Sequence, residues 1–255
     1  MSKKAGQHWI LLRGLARESG HWGDFIPVLQ SKFPEAQLTL LNLPGTGEFN
    51  GETGPRSIEA ITEQARLGAL AKGYLQKPVM LLALSLGGMV AWQWMQRYPD
   101  DICGCVLINT SFANLSPFYQ RLRWQSYPGF IALLLMRDLH KRESAIIQLV
   151  SNQPAINPQL IKDWENLQKQ RPISIKTCLN QILAAATFKP NGQKPRQPVL
   201  LLSGKGDRLV APACSEAIQQ KWDLPLYQHP QAGHDLTLDD GEWVVSQLYN
   251  WVSHL

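Results

Sequence analysis

At 255 residues the chain is long enough to bury a proper core, and its length suits one α/β domain with an insertion better than two independent folds. Hydrophobic residues make up 44% and charged residues 18%, which excludes a disordered chain and a fibrous or collagen-like one. The net charge of +5 comes from 25 basic and 20 acidic residues without a lysine or arginine block, so no nucleic-acid surface is expected.

Residues 1–8, Met1-Ser2-Lys3-Lys4-Ala5-Gly6-Gln7-His8, lead into an apolar run at 9–12. That run is too short for a signal-peptide core or a membrane span, so neither export nor a membrane partner is expected. Strands are expected at 9–13 and 38–42, followed by a helix over 57–74 that opens with a Ser57 cap after Pro55. A third strand at 79–84 runs into a helix at 88–98, and a fourth lies at 104–109. The strand pattern then stops. Helices at 131–139, 158–169 and 173–188 imply a helical insertion over the sheet, and the Gly/Pro-containing segment 189–195 returns the chain. A strand at 199–203, a helix at 213–221, a short strand at 226–228 and a helix at 241–251 complete the order.

Most of these strands are apolar on both faces, as strands covered by helices on each side must be. Their alternation with helices predicts an α/β fold: a mostly parallel central sheet flanked by helices. The core is expected over 1–110 and 196–255, with the helical cap at 111–195. Four cysteines, Cys103, Cys105, Cys178 and Cys214, show no CxxC spacing and suggest no disulfide framework, which points to the cytoplasm. Cys103 and Cys105 are expected on the same side of a strand as small core residues.

The strongest chemical signal is Leu81-Leu82-Ala83-Leu84-Ser85-Leu86-Gly87-Gly88. A serine that must project its hydroxyl from an abrupt strand-to-helix turn needs a strained backbone and small neighbours two positions to either side. Ala83 and Gly87 supply them, alanine standing where glycine is usual. A serine hydroxyl is a weak nucleophile at neutral pH, so a histidine must accept its proton and a carboxylate must orient that histidine. Asp207 follows a buried strand and the turn Gly204-Lys205-Gly206. His234, in Ala232-Gly233-His234-Asp235, lies between the last strand and the C-terminal helix. Both therefore sit at carboxyl ends of strands, where open α/β sheets place their sites. Among the other histidines, His8, His140 and His254 hold terminal or cap positions and His229 precedes Pro230. Asp100, Asp101, Asp235, Asp239 and Asp240 are competing carboxylates, expected to cap helices or face solvent.

The order Ser85, Asp207, His234 is the nucleophile, acid, base order of α/β-hydrolases, and from Trp9 to Trp251 the chain resembles that superfamily. The resemblance implies an oxyanion hole made by the backbone amides of Leu15 and Leu86. Where the family has His-Gly after the first strand, this chain has Leu12-Arg13-Gly14-Leu15. Leu41-Asn42-Leu43-Pro44-Gly45-Thr46-Gly47 is similar to the family's Asp-Leu-Pro-Gly-His-Gly turn, with Asn42 and Thr46 as departures. Around the loop after the first strand, His21 and Trp22 are candidates for the pocket wall. The alternative is that Trp22 packs a helix onto the sheet with His21 beside it.

These residues predict a serine hydrolase that cleaves a carboxylic ester or related acyl compound, with no metal and no organic cofactor required. A thioesterase or carbon–carbon bond hydrolase with the same triad is the alternative within enzymes, and a noncatalytic binding protein retaining the fold is the alternative outside them. The implied partner is a small acyl substrate, free or carrier-linked. Apolar runs at 115–118, 133–136 and 184–188 favour an acyl chain. Arg121, Arg123 and Arg137 are candidates to meet a carboxylate or phosphate on the substrate, or else are solvent-exposed helix residues.

Overall fold

The computed structural model describes residues 8–155 and 157–255; of the segment 1–8 that leads into the first apolar run, residues 1–7 lie outside the described residues. Leu-, Ile- and Val-rich runs form β1 (His8–Leu12), β2 (Gln37–Leu41), β3 (Val79–Leu84), β4 (Ile102–Ile108), β5 (Val199–Gly204) and β6 (Leu226–His229). All neighbouring pairs are parallel, in the order β2-β1-β3-β4-β5-β6. β3 and β5, both central, are buried at every position, whereas the edge strand β6 has none fully buried. The expected parallel sheet and its helical flanks are borne out.

Parallel strands need crossovers, and these supply the two layers. On one face α2 (Ile58–Ala71), α3 (Leu86–Arg97) and α9 (Ala213–Trp222) set Ile61, Val90, Trp94 and Ile218 against Ile10, Leu81, Leu107 and Leu201. On the other, α1 (Phe25–Lys32) and α11 (Gly241–Ser253) bring Phe25, Leu29, Val244 and Leu248 onto Leu11, Leu82, Val106 and Leu200. Each such fully buried aliphatic or aromatic side chain contributes about 1.5–3 kcal/mol. The short α10 (Leu236–Asp239) precedes α11. α2 starts where Ser57 accepts a hydrogen bond from the Ala60 amide, as its cap position predicts.

One expectation about β4 is corrected. Val79 pairs with Ile102 but Met80 pairs with Gly104, so Cys103 is an extra residue in the ladder. Cys105 consequently packs in the α2/α3/α9 layer, while Cys103 borders the α1/α11 layer. The two cysteines face opposite sides.

Between β4 and β5 run α4 (Phe118–Arg121), α5 (Tyr127–Leu135), α6 (Leu139–Val150), α7 (Pro158–Gln170) and α8 (Ile175–Thr187). The helix expected at 131–139 is in fact two: α5 ends at Leu135, and Asp138 caps α6 by accepting from the Lys141 amide. No helix among the described residues is long and apolar enough to cross a membrane.

Candidate active site

β3 ends at Leu84 and α3 begins at Leu86, so Ser85 alone turns the chain, with φ 56° and ψ −117°. A non-glycine residue held there costs about 1–3 kcal/mol, and it persists only where its surroundings over-determine it. Here the Ser85 amide donates to Ile108 O at 2.8 Å, and Ser85 O accepts from Thr110 Oγ1 at 2.8 Å and from the Gly88 amide at 2.9 Å. The small residue two positions after the serine is required by contact. A Cβ on Gly87 would stand 2.5 Å from Leu12 O and 2.7 Å from Arg13 O, backbone atoms that cannot yield. On the other side, a Cβ on Gly14 would meet the Ser85 Cβ at 3.1 Å, so the turn after β1 lies directly against the serine.

The turn after β5 carries Asp207, which is 1% exposed. Its Oδ1 accepts from the Leu209 and Val210 amides at 2.7 and 2.9 Å, and its Oδ2 lies 2.8 Å from His234 Nδ1. The carboxylate has no freedom to rotate, and it holds the imidazole with a proton on Nδ1, leaving Nε2 as the basic nitrogen. The loop carrying the imidazole is itself fastened: buried Asn109 donates from Nδ2 to Gly233 O and His234 O at 3.1 and 2.8 Å, while its Oδ1 accepts from the Gly204 amide at 3.0 Å. Burial pulls the His234 pKa down. The charge and hydrogen bond of Asp207, with Asp235 adding to them, outweigh burial and the opposing Arg13, and hold it above the ordinary imidazole value.

Ser85, His234, Leu15 and Leu86 line one cavity of about 710 Å³ between the sheet's carboxyl edge and the helical insertion. Leu86 opens α3, where backbone amides lack intrahelical partners, and Leu15 sits in the turn after β1. A strained serine, a carboxylate-anchored imidazole and two candidate amide donors thus share one wall.

The sequence pattern of the serine aminopeptidase S33 family matches residues 7–240. The chain belongs to this family. It is an α/β-hydrolase and an enzyme, so a noncatalytic protein retaining the fold is set aside. The pimeloyl-[acyl-carrier protein] methyl ester esterase of Methylococcus capsulatus is 25% identical over 259 residues, covering 97% of this chain and 95% of that protein. The biotin biosynthesis bifunctional protein BioHC of Teredinibacter turnerae is 25% identical over 224 residues, 82% of this chain but only 38% of that longer protein. A thermophilic esterase from Thermogutta terrifontis shares the fold with a TM-score of 0.75 at 19% identity, covering 98% of this chain and 90% of that one.

In this S33 hydrolase the other candidates separate. Arg121 and Arg137 line the cavity; Arg123, His21 and Trp22 do not. Arg121 is largely engaged at the end of α8, donating to Ala186 O at 2.9 Å and to Ala185 O. Arg123 lies behind the acid, its Nη1 donating to Asp207 O at 2.7 Å. The pocket-wall reading of His21 and Trp22 is corrected. His21 is buried against Trp164, with Nε2 2.8 Å from Arg17 Nη1, and Trp22 packs in the α1/α11 layer under the Arg13 guanidinium. Desolvation, the charges of Arg17 and Arg13, and Arg171 more weakly, hold the His21 pKa well below its ordinary value against the Glu18 carbonyl.

Asp235 does cap α10, accepting from the Leu238 amide, but it faces no solvent: Arg13 Nη2 reaches its Oδ2 at 2.5 Å, both residues being buried. This pair ties β1 to the histidine loop across the site. Arg13 in place of the usual histidine was the sequence signal for it, paired with an aspartate adjoining His234. Asn109 carried no comparable signal, since an asparagine ending a strand has many ordinary uses.

Proposed function

We propose that the protein is a serine esterase acting through an acyl-enzyme, with Ser85 as nucleophile, His234 as general base and acid, and Asp207 orienting the imidazole. The observation that carries this reading is the 2.8 Å Asp207–His234 contact in the cavity that also contains the strained Ser85. His234 Nε2 takes the hydroxyl proton as Ser85 Oγ attacks the ester carbonyl. The Leu15 and Leu86 amides receive the developing alkoxide. Collapse of the tetrahedral adduct expels the alcohol, protonated by His234. A water deprotonated by the same nitrogen then attacks the acyl-enzyme and releases the acid.

The helices of 111–195 form a cap whose inner side holds the acyl chain: Ile146, Leu149 and Ile182 line the cavity from the cap, facing Met89 of α3. Lining residues that are also solvent-exposed mark its mouth, and these are Phe118, Leu135, Arg137, Ser174 and Ile175. The wall carries five arginines against two carboxylates. Arg13 pairs with Asp235, and Glu143 is shared between Arg17 and Arg142, so the wall keeps an excess of positive charge to which Arg121 and Arg137 contribute. Such an entrance suits an acyl chain that enters ester-first while an anionic or carrier-bound end stays at the mouth, as the names of the relatives suggest. Four cysteines with no CxxC spacing in so long a chain suit a cytoplasmic setting. The test is a panel of para-nitrophenyl esters of increasing acyl length, with matched acyl thioesters and a carrier-linked methyl ester. Preference for the carrier-linked ester supports the full reading; hydrolysis of thioesters alone would move the protein to the thioesterase class.

A further inference from the structure

The turn that carries Leu15 is not held by the sheet domain alone. The Arg17 amide donates to Gly14 O at 3.3 Å, closing a β-turn with Leu15 and Ala16 at its centre. Ala16 has φ 56°, in the left-handed region where glycine or asparagine is expected at the third position of a type II turn. Left to itself, an alanine there favours the other turn type, in which the Leu15–Ala16 peptide is flipped. What holds the observed orientation is a residue of the cap. The Ala16 N–H donates to Oε1 of Gln181 on α8 at 2.8 Å, and Gln181 is fully buried. Because an amide donor faces it, the orientation of this glutamine's oxygen is determined.

The next two residues are keyed into the cap as well. Arg17 Nη1 lies 2.7 Å from Glu143 Oε2 on α6. Glu18 receives both Arg171 Nε and Nη2, at 2.8 and 2.7 Å, at the end of α7. Three consecutive residues after Leu15 are thus bound by three different cap helices. Gln181 also keeps a buried Nε2 with no hydrogen-bond partner among the described residues. A buried, half-satisfied amide is a poor stabiliser, since the orphan donor costs what the satisfied acceptor contributes.

We propose that Gln181 is a positioning residue for the oxyanion hole: by accepting the Ala16 N–H it holds residues 14–17 in the turn that presents the Leu15 amide, so hole competence depends on the cap being seated. The inference rests on Leu15 and Ser85 having the roles given above. A substrate or carrier that displaces the cap would lower the activity of the site without touching Ser85, His234 or Asp207.

The experiment compares wild type, Gln181→Met and Gln181→Glu on para-nitrophenyl butyrate, with a trifluoromethyl ketone that becomes a tetrahedral alkoxide on Ser85. Methionine fills the space without an acceptor and removes the orphan donor, so the melting temperature should stay within a few degrees. kcat should fall roughly tenfold to a hundredfold, short of the ~10²–10³ expected for deleting a donor outright. KM and the apparent pKa of the pH profile should hold, because the acyl pocket and His234 are unchanged. Ketone affinity should weaken in step with kcat/KM, and Gln181→Glu, which keeps an acceptor, should recover most of the loss. Gln181→Met at wild-type kcat and ketone affinity, in a protein whose Ser85 still reacts with a fluorophosphonate, overturns this inference alone. Full turnover by Ser85→Ala would remove the reading beneath it.

Discussion

Asp207→Asn is the sharpest perturbation the site permits, because the backbone dictates how the new amide must sit. Leu209 and Val210 donate to Oδ1 at 2.7 and 2.9 Å, and only the oxygen of an asparagine can accept both. Its NH2 is therefore turned toward His234 Nδ1, 2.8 Å from the present Oδ2. The imidazole must then accept at Nδ1 and carry its proton on Nε2, where it cannot take the serine's. Restoring the reactive tautomer points two N–H groups at each other, and the imidazolium formed during attack loses its buried counter-charge. Together these cost about 5 kcal/mol, or roughly 10⁴ in kcat. The fold should hold, because Arg123 bonds the Asp207 main-chain oxygen, which the substitution retains. Steady-state hydrolysis of para-nitrophenyl esters, with circular dichroism as the control, measures the effect. What remains should titrate at lower pH, since burial of His234 is no longer opposed by Asp207. A kcat within tenfold of wild type, with an unmoved pH profile, would refute the assignment.

In wild type the free-enzyme pH profile should rise through one transition above the ordinary imidazole value, since His234 acts when neutral and its surroundings raise its pKa. A transition well below that value would contradict the anchoring by Asp207. His21 acts on stability with the opposite sign: its folded pKa is depressed, so the unfolded chain takes up a proton first as pH falls. Between the ordinary imidazole value and that lower one, stability should fall by about 1.4 kcal/mol per pH unit, and urea titrations of His21→Gln should lack this component. Arg13→Met should cost about 3 kcal/mol in urea unfolding by leaving the buried Asp235 charge unpaired, and Asp235→Asn added to it should recover much of the loss. Arg137→Ala should raise KM for carrier-linked or diacid methyl esters while leaving short neutral esters unaffected, because this arginine lies at the cavity mouth. Equal effects on both substrate classes would make it a surface residue.

The sheet was legible because its strands are short, apolar on both faces and punctuated by glycine and proline. Each of the six appears within two residues of its expected start. The elbow was legible for a steric reason, since the demand for Ala83 and Gly87 around a serine is written in adjacent positions. What escaped depends on distant pairs. Gln181 lies 165 residues from Ala16, and nothing in the helical pattern of α8 marks it as different from a buried polar residue. The division of the expected helix at 131–139 was available in Asp138, a cap residue inside an apolar run. The bulge at Cys103 was not, because a one-residue slip leaves no trace in a strand apolar on both faces.

The central claim is that Ser85 is the nucleophile, and mass spectrometry of the fluorophosphonate-treated protein tests it directly. The account predicts a single phosphonyl adduct on the peptide containing Ser85. The adduct should be absent from folded Ser85→Ala and should form far more slowly in His234→Ala. An adduct at another serine, or turnover by Ser85→Ala at the wild-type rate, would contradict it.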